Sequence, residues 1–167
     1  MRNLSFVTVL LSIISIVPNI SVAQGAGIGA GLILGAPTGI SAKFWTSNIN
    51  AIDFAVGWSD DGEWARFGNT WYYYGLRYLH IHADYLWHNY TAIKSQERFP
   101  LFYGVGFHYD DGHGAPSAFG MRGVIGIDWM PRAVPIDVFV EFAPVLFLTP
   151  GTGLGLDAGI GTRFFFH

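Results

Sequence analysis

The chain has 167 residues, enough for one domain, with 13% charged and 17% aromatic residues and no cysteine. Ordinary soluble domains carry roughly 25% charged residues, so the charges here are too few to coat a globular surface. A formal net charge of −3 gives no basic face for nucleic acid, and without cysteine there can be no disulfides, thiol nucleophiles or thiolate metal sites.

The amino terminus has the pattern of an export signal. Arg2 supplies a positive start, Phe6 to Val17 an apolar run, and Ser21-Val22-Ala23 a small-residue cleavage site. The run is shorter than the ~20 apolar residues a spanning helix needs, and no later stretch is both long and apolar enough to span. Residues 1–23 are therefore expected to be a signal peptide and residues 24–167 the mature domain.

From Gly27 onward the side chains alternate in twos, the period of a β-strand. The first predicted strand, Gly27 to Leu34, sets Ile28, Ala30, Leu32 and Leu34 against Gly29, Gly31 and Ile33. Glycines on an inward face leave room for bulkier neighbours. After a turn at Gly35 to Gly39, Ile40 to Thr46 puts Ser41, Lys43 and Trp45 opposite Ile40, Ala42 and Phe44. A short turn at Asn48 leads to Ala51 to Trp58, which places Asp53 and Gly57 opposite Ile52, Phe54, Val56 and Trp58.

Ser59 to about Leu76 is expected to be a long polar and aromatic loop holding Trp64, Phe67 and Trp71 to Tyr74. Exposed rings rimmed by polar groups can mark a binding surface; they can equally extend strands. The fourth strand, Tyr78 to His88, is the most informative. Its even positions hold His80, His82, Asp84, Leu86 and His88, and its odd positions Leu79, Ile81, Ala83, Tyr85 and Trp87. Asn89 to Phe99 is a connection longer than a tight turn. Pro100 to Tyr109 then sets Phe102, Gly104, Gly106 and His108 against Leu101, Tyr103, Val105, Phe107 and Tyr109. Three more strands follow: Phe119 to Trp129, Ile136 to Leu148, and Leu154 to Phe166.

The strand charges fall on one parity. Lys43, Asp53, Asp84, Arg122, Asp128, Asp137, Glu141, Asp157 and Arg163, with His80, His82, His88 and His108, all oppose the apolar face. Only Arg77 breaks the rule, at a strand end. A charge at a bilayer midplane costs ~2–4 kcal/mol, so such segregation is what lipid would enforce. A soluble sandwich would also put charges on one face. It would rarely need the rings of Trp58, Tyr85, Trp87, Tyr103, Tyr109 and Trp129 near strand ends, where a membrane protein has aromatic girdles. The expected fold is all-β: an eight-stranded antiparallel up-and-down transmembrane β-barrel.

With these segments the sequence resembles the small eight-stranded bacterial outer-membrane barrels of the OmpX and OmpA transmembrane type. The resemblance rests on His80 to His88, Leu101 to Gly106, Asp137 to Pro144 and the closing Gly159 to Phe166. It implies a Gram-negative outer-membrane location, contact with lipid and lipopolysaccharide, and a monomeric state. It also implies delivery by barrel-assembly machinery that reads Phe164 and Phe166 in the last strand. The family pattern ends in an aromatic residue, whereas His167 follows Phe166 here.

An eight-stranded barrel is just wide enough for side chains to fill it, so the inward charges are expected to pack as a polar network. Hairpin geometry sets Asp137 opposite Arg163, brings Lys43 near Asp53 and places Arg122 diagonal to Glu141. His80-x-His82-x-Asp84 also offers metal ligands on one strand face, a weaker reading than a hydrogen-bonded plug. No cofactor is implied. The alternatives to an envelope protein are a narrow channel and a lipid-modifying enzyme. An acyl-transfer enzyme of that kind needs serine, histidine and an acid together. His113 and Ser117 share a loop with Asp110 and Asp111, but no strand pairs a histidine with a serine.

Overall fold

The structure, a computed structural model, describes residues 27–67, 70–112 and 116–166. The expected signal peptide, His113 and His167 lie outside the described residues, as do the side chains of Arg77 and of the aromatics between Trp64 and Tyr74. The described residues form eight strands: β1 (Ile28–Gly35), β2 (Thr38–Trp45), β3 (Asn50–Phe67), β4 (Thr70–Asn89), β5 (Leu101–Gly112), β6 (Ala118–Trp129), β7 (Ile136–Thr149) and β8 (Gly153–Phe166). Each pairs antiparallel with its neighbours in sequence, and β1 pairs with β8, which closes the barrel. Closure removes the free edges that an open sheet would expose.

The predicted strands and faces are reproduced, with two corrections. Asp110 to Gly112 continue β5 where a loop is expected. The stretch from Ser59 to Leu76 is not a loop. Its backbone continues β3 and β4 as one long hairpin, paired from Ser59↔Tyr78 to Phe67↔Thr70. Asp60, Asp61 and Gly62 interrupt the apolar alternation there, and ladder hydrogen bonds carry the strands on regardless.

Large inward side chains sit opposite small ones. Phe102 lies directly across from Gly126, Phe139 from Gly161 and Phe165 from Gly29. A Cβ added at Gly126 or Gly161 would collide with the ring facing it. Glycine is therefore required by space at these positions. The inward rings and aliphatics form two apolar clusters. One contains Ile33, Leu86, Phe102 and Phe139; the other holds Trp45, Ala51, Met130 and Phe165, with Tyr90 packed against it.

The second cluster closes the end of the barrel that holds Ile28 and Phe166. The connection after β4 folds back over this end, through a bridge of Arg98 to Met130 and a hydrogen bond from Arg132 N to Glu97 Oε2 at 3.0 Å. Burial pushes the Tyr90 phenol up to about 12, so it stays neutral in that floor.

Candidate functional site: a polar lumen

All thirteen predicted inward polar residues are buried, from Asp128 and Asp137 at 0% exposure to Asp157 at 7%. The opposite parity is exposed and apolar. Val105 is 57% accessible, Ile125 60%, Leu156 68% and Ile160 50%. This is an inside-out arrangement, with charge in the middle and hydrocarbon on the surface.

A buried charge is tolerated only when it is paired and hydrogen-bonded, and three bases organise the pairing. At the closed end, Lys43 Nζ lies 2.8 Å from Asp128 Oδ2 and 3.3 Å from Asp137 Oδ2. His88 Nε2 reaches the same Asp128 oxygen at 3.2 Å. Arg163 bridges Asp53 at 2.7 Å and Asp137 at 3.3 Å, and its Nε donates to Ser41 Oγ at 2.9 Å. Its guanidinium also lies 3.7 Å over the Phe139 ring, within cation–π range.

Higher in the lumen, Arg122 takes the central position. It contacts Asp84 at 3.2 Å, Glu141 at 2.9 Å and Asp157 at 3.3 Å, and donates from Nη1 to His82 Nδ1 at 2.7 Å. At the end opposite Phe166, His108 lies between Asp110 at 2.7 Å and Asp157 at 3.0 Å. The Phe147 ring packs edge-on against His108, with centroids 5.1 Å apart.

Two of the three expected partnerships hold as contacts: Asp137 with Arg163, and Arg122 with Glu141. The third holds only as register. Lys43 is directly across from Asp53, but its ammonium reaches over the lumen to Asp128 and Asp137, and Asp53 is held by Arg163. The His80-x-His82-x-Asp84 triplet is split in the same way. Asp84 is drawn to Arg122, and His80 is brought together with His108 and Asp157. Sequence reasoning left Asp110 in a loop. Extending the alternation Phe102, Gly104, Gly106, His108 by one step would have placed it in the lumen.

Ser117 Oγ donates to Asp111 Oδ1 at 3.1 Å, and both residues are on the rim. No family model, curated protein or solved structure matches this chain. The fold and lumen define a closed, antiparallel eight-stranded β-barrel with a charge-filled interior.

Proposed function

We propose that the protein is exported and spans a bacterial outer membrane as a monomeric barrel, serving as a non-enzymatic envelope or surface protein. The observation that carries this reading is the polarity of the wall. Large apolar side chains cover the outer face of every strand whose side chains are described, while the strand charges of those faces are buried inside. In water, such a surface would be a contiguous apolar patch far beyond what soluble monomers expose. Hydrocarbon is the solvent that suits it.

The rings of Tyr85, Trp87, Tyr103 and Trp129 toward one end, and of Trp58 and Tyr109 toward the other, suit headgroup depth. The packed interior favours a plug over a pore, and the long β3–β4 hairpin supplies a surface for contacts beyond the bilayer. The test is fractionation of expressing cells with gel mobility of unheated and heated samples. A detergent-extracted protein whose mobility shifts on heating supports the reading. A freely water-soluble monomer without detergent sinks it.

A further inference from the structure

We propose that the end of the lumen opposite Phe166 holds a binding site for a divalent transition-metal ion of the zinc class, with His80, His108 and Asp157 as its ligands. One atom from each lies within 4.8 Å of the other two. His108 Nδ1 is 3.0 Å from Asp157 Oδ2, and His80 Nε2 is 4.0 Å from the same oxygen. Two imidazoles and a carboxylate are a characteristic zinc donor set. A small inward adjustment would bring these atoms to the roughly 2.0–2.2 Å bonds zinc requires.

The surroundings point the same way. Asp110 lies behind both rings, with its Oδ2 2.7 Å from His108 Nε2 and its Oδ1 3.3 Å from His80 Nδ1. A carboxylate accepting a proton from the far nitrogen fixes the tautomer and aims the near nitrogen's lone pair at the metal. Here a single carboxylate stands behind two histidines, hydrogen-bonded to His108 and within ion-pair reach of His80. The lone pairs so directed are His80 Nε2 and His108 Nδ1, the nitrogens that face Asp157.

A further contact marks the same point. His80 Nε2 faces His82 Nδ1 at 3.1 Å, while His82 Nδ1 accepts from Arg122 Nη1 at 2.7 Å. His80 Nε2 therefore sits between His82 and Asp157, and it turns from His82 when a cation takes its lone pair. Arg122 opposes metal binding through its contact with Asp157, but it retains Asp84 and Glu141 when Asp157 turns to an ion. Asp110 and Asp157 have side chains 13% and 10% accessible, above the fully buried charges deeper in the lumen. These two carboxylates are thus the lumen acids nearest to solvent.

The test is titration calorimetry of zinc chloride into the detergent-extracted protein, processed by the cells that express it. One ion per chain is expected to bind. His80→Asn and His108→Asn are expected to abolish that uptake, and Asp110→Asn to weaken it by ~10–100-fold, with folding checked by heat-shifted gel mobility. His113→Asn serves as the control for adventitious binding and is expected to leave uptake intact. Cobalt(II) added to the wild-type barrel supplies a readout that needs no variant: bands of a four- or five-coordinate nitrogen–oxygen site are expected. The proposal is overturned by a folded wild-type barrel that takes up no zinc, by uptake that survives loss of both histidines or disappears with His113, or by a cobalt spectrum of the hydrated ion alone.

Discussion

Arg163 on β8 and Asp53 on β3 stand 110 positions apart in the chain, yet their charged groups meet 2.7 Å apart in the middle of the lumen. The same guanidinium holds Asp137 on β7. One side chain therefore ties three strands across the interior. Arg163→Ala leaves Asp53 buried without that partner while Asp137 keeps Lys43, and removing one partner of a buried pair costs about 3–5 kcal/mol. Urea unfolding in detergent, followed by tryptophan fluorescence, is expected to show that loss. The double variant Arg163→Met with Asp53→Asn is expected to recover part of it, because fewer uncompensated charges remain. Additive losses in the double variant would count against the pairing.

The outer face gives a second prediction that separates lipid from water as its solvent. Ile125 is 60% exposed on the outer wall of β6. In water, an exposed substitution away from any special feature changes stability by only about 0.5 kcal/mol. In a bilayer, Ile125→Arg is expected to cost about 2–4 kcal/mol if it lies near the midplane, less toward the interfaces. Unfolding in phospholipid vesicles measures it, with Leu154→Arg at the strand end as the shallow comparison. Equal and negligible costs at both positions would argue for an aqueous surface.

Packing across the strands sets a third expectation. Gly126→Val drives a branched side chain into the Phe102 ring, and overpacking of this kind costs about 1–3 kcal/mol. Adding Phe102→Leu to that variant is expected to restore part of the loss and not all of it, because the Val140 carbonyl also stands where the new Cβ would go. The denaturant midpoints of the two variants decide it, and a Gly126→Val protein as stable as wild type would show that the lumen yields.

The plugged interior predicts electrical silence. Arg122, Phe102 and Phe139 are among the largest fully buried side chains, and they fill the middle of the lumen. Planar bilayers containing the protein are expected to show no steady single-channel steps. Lipid A from cells with and without the protein is likewise expected to give the same mass spectrum. Regular conductance steps would favour a channel, and a changed acyl pattern an enzyme.

The wall of this barrel was legible because alternation is local. Each residue's side follows from its parity, so the burial of Lys43, Asp84 or Glu141 could be read from neighbours one position away. Asp137 with Arg163 was legible for a related reason, since one hairpin turn sets their register. Lys43 with Asp128 was not, because β2 and β6 share no turn and meet only once the sheet has closed. The cluster of His80, His108 and Asp157 was hidden for the same reason. Spacing put His80, His82 and Asp84 on one face, but the strand opposite supplied His108 and the far wall supplied Asp157. The β3–β4 extension escaped notice because its residues abandon the apolar alternation while the backbone goes on pairing.

The seam between β1 and β8 joins Ile28 to Phe166, in the first and last of the described strands. Six strands separate these two in chain order, so the cylinder cannot close until the strand carrying Phe166 has been made. Until then every apolar outer side chain is on a ribbon with two raw margins, prone to clumping with its own kind. Closure is therefore the final act of folding, and the open ribbon before it is the state most exposed to self-association.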